Sequence, residues 1–176
     1  CAPATALAAP EGLAVSPDGT TVHVASALAD AVLTFGRDPA SGALAQLDGA
    51  AGCLAAGAVA GCGPARALGG PNAVAVAPDG ASAYVSSVLS ASLAGFARAG
   101  SGALAQLDGL GGCVTARPTT GCGVGRGLRG PEGVAVSPDG RSVYVAAFAS
   151  SAIIVLDRDP ATGIARQAAR RAGCVS

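Results

Sequence analysis

The chain has 176 residues, of which 51% are hydrophobic and only 12% are charged. This length and composition allow one folded domain with a core and differ from those of disordered chains. Eleven basic residues balance eleven acidic ones, and like charges do not cluster. We therefore expect neither nucleic acid nor an anionic membrane as a partner.

Two further features of the composition limit the interpretation. The longest apolar stretches, such as residues 24–35 with Asp30 among them, fall well short of the roughly 20 residues that span a bilayer. The sequence therefore predicts no transmembrane helix. Methionine is absent, and we interpret this as a processed form or an excerpt of a longer protein.

Three near-identical phrases divide the chain into repeats. PEGLAVSPDGTTVH begins at Pro10, PNAVAVAPDGASAY at Pro71 and PEGVAVSPDGRSVY at Pro131. The phrase GALAQLDG occurs at 42–49 and again at 102–109. The sequence predicts a single domain, 1–176, with the following repeats: 10–70, 71–130 and 131–176.

Four short strands are predicted in each repeat. In the first repeat, the apolar run GLAVS ends at Pro17-Asp18-Gly19, where proline presets φ and glycine accepts a positive φ. Two segments rich in β-branched residues follow, and ALAQL after the turn sequence DPASG closes the repeat. The predicted strands lie near 12–16, 21–26, 31–36 and 43–47, and recur about 60 residues further on.

A repeated four-stranded antiparallel unit is typical of the blade of a β-propeller. A β-sandwich of short strands would show similar turn spacing, but it would not require near-identical units. The predicted fold class is therefore all-β, a β-propeller with three four-stranded antiparallel blades.

Three blades leave two blade faces without a neighbour. Closed propellers usually have roughly four to eight blades, and extended apolar faces are normally covered. We expect either a longer chain with further repeats or two copies that close a six-bladed ring. The third repeat would be completed by residues 1–9 of a second copy or by the longer chain.

The six cysteines follow the same repeat. Two pairs have a nine-residue spacing: Cys53 with Cys62, and Cys113 with Cys122. Cys174 matches the first member of a pair, and Cys1 matches the second. Structural zinc, the alternative, needs four ligands, and the only histidine lies in a predicted strand. We predict a disulfide within each complete pair, with Cys1 and Cys174 unpaired inside the chain.

Disulfides indicate an oxidising compartment, so we expect an extracellular or cell-surface protein. Lipidation of Cys1, as in a bacterial lipoprotein, is an alternative for the terminal residue. Its match to Cys62 and Cys122 explains this cysteine without a lipid.

The repeated phrase also carries a family resemblance. The pattern PxGVAVSPDGxxVYVA, followed by a DRDPxTG turn and a GALxQL strand, resembles the YVTN-type propellers of the lactonase-like family. It is similar in particular to secreted bacterial members with a cysteine-bearing loop between blades. The resemblance covers the whole chain and implies a propeller fold, and only the family name implies an activity.

Candidate site residues follow the opening prolines of the repeats. Glu11, Asn72 and Glu132 occupy equivalent positions, and propellers usually bind ligands where the innermost strands converge. Carboxylate and amide oxygens are ligands that calcium takes, and the set resembles part of the metal site of gluconolactonase-type propellers. The alternative is that these side chains bond backbone groups at the strand starts.

Two classes of function remain open from the sequence. The first is a secreted propeller that acts as a binding or structural module for a small molecule, glycan or protein ligand. The alternative is a lactonase-like hydrolase acting on a sugar or organic-acid lactone at the central channel, with calcium as a candidate cofactor. We interpret the sequence as favouring the first class, and leave open whether the protein is an enzyme.

Overall fold

The computed structural model describes residues 1–169 and 173–176, and these form three β-sheets that follow one another along the chain. The predicted fold is confirmed: the protein is an all-β propeller of repeated blades with mostly antiparallel strands. The predicted third repeat includes residues 170–172, which lie outside the described residues.

The three blades repeat the same order of strands. The first blade consists of β1 (Pro10–Val15), β2 (Thr21–Ser26), β3 (Ala31–Arg37), β4 (Leu44–Gln46), β5 (Cys53–Ala55) and β6 (Gly63–Pro64). The second consists of β7 (Pro71–Val76), β8 (Ser82–Ser87), β9 (Ser92–Arg98), β10 (Leu104–Gln106), β11 (Cys113–Thr115) and β12 (Gly123–Val124). The third consists of β13 (Pro131–Val136), β14 (Ser142–Ala147), β15 (Ala152–Arg158), β16 (Ala165–Gln167) and β17 (Cys174–Val175).

Helical structure in the described residues is confined to single turns. They include α1 (Gly49–Gly52) and the 3-10 turns Ala27–Ala29, Gly109–Gly111 and Phe148–Ser150. Within the same residues, no helix has the length and apolar character required to span a bilayer.

The outer edge of each blade differs from the predicted single fourth strand. In the first blade, β4 and β5 both pair antiparallel with β3, and the turn α1 separates them. This turn packs so closely that a Cβ on Gly52 would lie 1.7 Å from the Leu47 carbonyl oxygen. The segment β6 then adds to β5 in parallel. The fourth strand is therefore a short pair of segments, continued by the cysteine loop.

Both complete cysteine pairs form disulfides. Cys53 bonds Cys62 with their Cα atoms 4.6 Å apart, and Cys113 bonds Cys122 at 4.8 Å. Each bond joins the outermost antiparallel segment to the chain that enters the next blade. Cys1 and Cys174 carry free thiols.

Apolar layers between neighbouring blades form the core. Val32 and Leu54 of the first blade pack in one cluster with Val85 and Phe96 of the second. Between the second and third blades, the corresponding cluster consists of Tyr84, Leu93, Val114, Leu128, Val143, Val145, Ile154 and Leu156, with alanines around them. A third cluster, which includes Val22, Leu33 and Phe35, lies on the other face of the first blade and packs against Ala4 and Ala6. The core therefore consists of two layers between blades and one layer between the first blade and the segment that precedes it.

The first strands of the blades lie side by side, β1 against β7 and β7 against β13. The approach between β1 and β7 is close: a Cβ on Gly12 would lie 2.4 Å from the Asn72 carbonyl oxygen. Only glycine fits this position without movement of the neighbouring strand. The first strands are thus the inner strands of the propeller, as expected.

Arginines at the ends of the third strands form ion pairs with the preceding blade. Arg98 on β9 reaches back to Asp18 of the first blade at 2.8 Å. Arg158 on β15 makes the same contact with Asp79 of the second blade at 2.7 Å. Asp18 and Asp79 were predicted as turn residues, and they do accept bonds from their own turns. Each also takes part in a junction between blades.

Candidate functional site

A β-bulge shapes the start of every inner strand. The pairing register shifts between Pro10 and Leu13, and the same shift occurs at the start of β7 and β13. The residues in the three bulges include Glu11, Asn72 and Glu132, the sequence-predicted candidates. A bulge turns a side chain away from the regular alternation of a strand, and bulges are frequent beside active sites. The three candidates therefore share one local backbone setting.

Asn72 is held by two hydrogen bonds. Its Nδ2 donates to the Pro131 carbonyl of the next blade at 3.0 Å, and its Oδ1 accepts from the Ser86 hydroxyl at 2.9 Å. This agrees with the alternative in which these side chains bond backbone groups at the strand starts. Asn72 links the second inner strand to the third, so both of its polar ends are occupied.

Glu11 and Glu132 are different, because both side chains are exposed. Glu132 follows Pro131, whose carbonyl receives the Asn72 bond. A solvated carboxylate at the end of an inner strand is free to meet a ligand or a water molecule. The two glutamates therefore remain candidates for binding or acid–base chemistry.

The described residues contain no group of three histidine, cysteine, aspartate or glutamate side chains placed to hold a metal ion. Calcium takes six to eight oxygen ligands, and the amide oxygen of Asn72 already accepts a hydrogen bond from Ser86. The side chains on the three bulges do not by themselves fit a calcium ion. Calcium binding stays a prediction, and no step below depends on it.

A cleft of about 600 Å³ lies between the second and third blades. Its walls come from the loop between β8 and β9, the loop after β11, and the segment that enters β13. The Phe148 N–H donates to the Gly130 carbonyl at 2.8 Å, so the turn between β14 and β15 closes over the start of β13. The cleft is thus at the same end of the blades as Glu132, which follows Gly130 by two residues.

Two arginines, Arg117 and Arg129, line this cleft. Both are exposed, and in the described residues neither guanidinium forms an ion pair with a carboxylate. Arg129 is held through its backbone, since its N–H donates to Ser150 Oγ at 3.1 Å. A pair of guanidinium groups in one cleft suits a carboxylate or phosphate group, which arginine binds in a bidentate manner.

The candidates predicted from the sequence, Glu11, Asn72 and Glu132, include neither Arg117 nor Arg129. The first repeat has Gly57 where the second has Arg117, so the repeat pattern gave no signal. Arg66, another loop arginine, instead donates from Nη2 to the Leu107 and Gly109 carbonyls at 3.4 Å. Its role is to support the outer turn of the second blade.

The polar groups buried between blades are structural. Tyr84 donates to the Gly163 carbonyl at 2.6 Å and accepts from Arg158 Nε at 2.8 Å. Burial raises the pKa of Tyr84, while hydrogen bonds from Ser82 and Arg158 oppose the rise. Its equivalent in the first blade, His23, is fully buried. Burial, and then the nearby Arg98 charge, lower the pKa of His23 to about 4, so it is neutral at pH 7.

Comparisons with solved structures identify the fold. A crystal structure from Bacteroides uniformis, provisionally described as a 6-phosphogluconolactonase, matches with a TM-score of 0.64 and 25% identity, covering 91% of this chain and 39% of that chain. A periplasmic gluconolactonase from Pseudomonas aeruginosa matches with a TM-score of 0.62 and 24% identity, covering 93% and 39%. A protein from Bacteroides fragilis with the same provisional description as the first has a TM-score of 0.66, 23% identity and coverages of 91% and 38%.

The chain spans about two fifths of the length of these solved structures. No protein-family model matches the sequence, and no curated protein matches it at a significant level. The structural neighbours thus establish a lactonase-like propeller fold for this chain.

Proposed function

We propose that the chain is part of a lactonase-type propeller that hydrolyses a sugar lactone. The single observation that carries this proposal is the likeness of nine tenths of the chain to propellers described as gluconolactonases. This likeness favours the hydrolase over the non-catalytic binding module that the sequence alone favoured. The proposed site is the cleft between the second and third blades, together with Glu132, which follows Gly130 of the cleft wall by two residues.

The cleft suits the charge that the reaction produces. Hydrolysis opens the lactone ring and leaves a carboxylate on the sugar acid. Arg117 and Arg129 supply positive charge at the cleft walls, where they stabilise the carboxylate, or a phosphate on the substrate. Preorganised cations also stabilise the negative oxygen that forms when water attacks the carbonyl carbon.

Glu132 is the candidate general base. Its exposed carboxylate at a strand bulge can take a proton from water, as the water oxygen bonds to the lactone carbonyl carbon. The bond between the carbonyl carbon and the ring oxygen then breaks, and the ring oxygen takes up a proton. In this scheme Asn72 positions the strand that carries Glu132, through its bond to Pro131.

The proposed compartment is extracellular or periplasmic. Two disulfides within the chain favour an oxidising environment, and one structural neighbour is described as periplasmic. Export would also expose the protein to sugar lactones outside the cytoplasm.

A lactone panel tests the proposed activity. The intact protein is mixed with glucono-δ-lactone, 6-phosphoglucono-δ-lactone and an organic-acid γ-lactone, and acid release is followed in a pH-stat against the spontaneous rate. We expect accelerated opening of at least one sugar lactone. Rates equal to the spontaneous rate for all three would refute the hydrolase and return the protein to the class of binding modules.

A further inference from the structure

The two arginines of the cleft occur at one of the two junctions between the described blades. Arg117 corresponds to Gly57 of the first repeat, and Arg129 corresponds to Gly69. The repeats are otherwise nearly identical, and the junction between the first and second blades has glycine at both positions. Positive charge was therefore added to this cleft at two separate points of the chain.

Two threonine hydroxyls hold the backbone of Arg117. Its carbonyl oxygen accepts from Thr115 Oγ1 at 2.7 Å and from Thr119 Oγ1 at 3.1 Å. Thr115 is only 2% exposed, and the Thr119 carbonyl accepts from the Cys122 N–H at 3.1 Å. The peptide group that follows the Arg117 side chain is thus fixed from both directions along the chain.

The first-blade loop has the same covalent frame without these hydroxyls. Its disulfide joins equivalent cysteines, and the Cys62 N–H donates to the Val59 carbonyl at 3.0 Å, as Cys122 does to Thr119. The positions of Thr115 and Thr119 are occupied by Ala55 and Val59. Because this loop closes without the hydroxyls, they are not needed for the turn itself, and within the two loops they accompany the arginine.

The loop that carries Arg117 is also attached to the cleft wall. The Ala116 N–H donates to the Ala91 carbonyl at 2.9 Å, and Ala91 lines the cleft. At the base of the loop, Cys113 and Cys122 are 1% and 5% exposed and are joined by the disulfide. A side chain on a backbone fixed in this way loses less conformational freedom when it binds a ligand.

Arg129 approaches the cleft from a second fixed segment. A hydroxyl holds its backbone too, since its N–H donates to Ser150 Oγ at 3.1 Å. Both arginine residues are exposed while their backbones are bonded. Two guanidinium groups presented from separate rigid segments suit one oxyanion, which can accept hydrogen bonds from both.

We propose that Thr115, Thr119 and the Cys113–Cys122 disulfide position Arg117 so that it binds, together with Arg129, the carboxylate of a sugar acid. The ligand class comes from the proposed function, on which this inference rests, because opening of a sugar lactone leaves such a carboxylate. Thr115 and Thr119 are positioning residues that act through the Arg117 backbone. The cysteine loop of the second blade therefore has a binding role that the loop of the first blade lacks.

Isothermal titration of the intact protein with sodium D-gluconate tests the proposal at low ionic strength. D-glucitol, which has the same carbon chain without the carboxylate, is the ligand control and should not bind detectably. We expect Arg117→Ala to weaken gluconate binding at least about tenfold. Arg141→Ala removes an exposed arginine in the turn between β13 and β14, so the affinity should stay at the wild-type value.

Paired threonine variants separate positioning from folding. Thr115→Val with Thr119→Val removes both hydroxyls at nearly constant volume and should weaken gluconate binding about fivefold or more. Thr115→Ser with Thr119→Ser keeps both hydroxyls and should bind within about twofold of wild type. Circular dichroism confirms that each variant is folded. Equal affinities of the valine and serine variants would overturn the role of the hydroxyls.

The two disulfides provide a second matched pair. Cys113→Ala with Cys122→Ala frees the loop that carries Arg117, whereas Cys53→Ala with Cys62→Ala frees the loop that carries Gly57. Both double variants lose a bond that closes a loop of the same length, and we expect gluconate binding to weaken about threefold or more in the first variant alone. Equal affinities of the two double variants would contradict the positioning role of the second disulfide.

The binding measurements are independent of catalysis. Failure of wild type to bind gluconate with a dissociation constant below about 10 mM would overturn the inference, even if the protein opens lactones in the pH-stat. Gluconate binding that depends on Arg117 and on the two hydroxyls would support it, even if no lactone is opened and the proposed hydrolase is refuted.

Discussion

The Arg158 guanidinium and the Asp79 carboxylate lie 2.7 Å apart across the junction between the second and third blades. The arginine side chain is fully buried, while the aspartate side chain is 36% exposed. Arg158 also contacts Tyr84, Ser82 and the Gly140 carbonyl. A charge that belongs to one blade is therefore satisfied largely by the blade before it, and the blades depend on one another for stability.

Asp79→Asn tests this dependence. The variant keeps an acceptor for the Ala81 N–H but removes the negative charge that faces buried Arg158. We expect the free energy of unfolding to fall by about 2 kcal/mol, because a buried charge loses its partner. Urea denaturation measures the change. Asp108→Asn, at an exposed carboxylate, is the control, and its free energy of unfolding should stay within about 0.5 kcal/mol of wild type. Equal effects of the two variants would contradict a stabilising role for the Asp79–Arg158 ion pair.

The stability of the first junction should depend on pH through His23. The folded-state pKa of about 4 lies below the ordinary value of 6.5, so between these values the unfolded chain binds a proton that the folded protein does not. Stability is thus highest above pH 6.5 and falls as the pH approaches 4, by about 3 kcal/mol in total. Urea denaturation at a series of pH values measures this slope.

His23→Tyr is the matched control for that pH dependence. Tyrosine occupies the equivalent positions 84 and 144, and Arg98 corresponds to the arginine that bonds Tyr84. The variant should fold and lose most of the slope between pH 6.5 and 4. A slope unchanged by the substitution would show that other groups cause it. The aspartates contribute at lower pH, because hydrogen bonds to the carboxylate of Asp18, the Ser16 hydroxyl first, hold its pKa below 3.8.

Gly12→Ala should disturb the contact between the first two inner strands. The new Cβ would lie 2.4 Å from the Asn72 carbonyl oxygen and 2.7 Å from Ala73 Cα, so the two strands must separate. We expect a loss of about 1–3 kcal/mol in the free energy of unfolding. Gly133→Ala is the equivalent change on the third blade, where the nearest atom would be 3.7 Å away. Thermal unfolding should show no loss for this control, and a similar loss for both variants would argue against close packing at Gly12.

Removal of the Cys113–Cys122 disulfide should destabilise the protein. The bond closes a short loop, for which loop-entropy arguments give a contribution of roughly 2.5 kcal/mol. Changing both residues to alanine avoids leaving a buried thiol, and urea denaturation measures the cost. A variant with alanine at positions 1 and 174 should unfold like wild type because neither residue is bonded within the chain. No difference between the two double variants would contradict a stabilising role for the loop disulfide.

The strands that the repeat pattern predicted agree with the structure to within about two residues; β2 matches the prediction of 21–26, and β1 runs over 10–15 instead of 12–16. Alternation, turn residues and repetition are local signals, and they determine these strands. The outer edge was predicted less well, because β5 and β6 contain only three and two residues. Such short segments have no period of their own and depend on contact with β3 and on the close turn at Gly52.

The sequence does contain a signal for the ion pairs between blades. Arginine recurs at 37, 98 and 158, at the same intervals as the turn aspartates at 18, 79 and 139. Hydrogen bonding within the turns accounts for the aspartates without any further partner, so this recurrence by itself is not enough to predict the ion pairs. For the candidate site, the repeat pointed to Glu11, Asn72 and Glu132, but it could not separate the bonded amide from the exposed carboxylates. Arg117 had no counterpart in the first repeat, and only the fold brings it to the same cleft as Arg129.

The most direct test of the functional account is the rate of sugar-lactone opening by wild type and by Glu132→Gln, measured side by side in a pH-stat at pH 7. The account predicts that kcat falls by about 100-fold or more, because glutamine cannot accept the proton from water. Asp108→Asn, which removes an exposed carboxylate elsewhere on the second blade, should leave kcat unchanged. Equal rates for wild type and Glu132→Gln would contradict the assignment of lactone hydrolysis to this site.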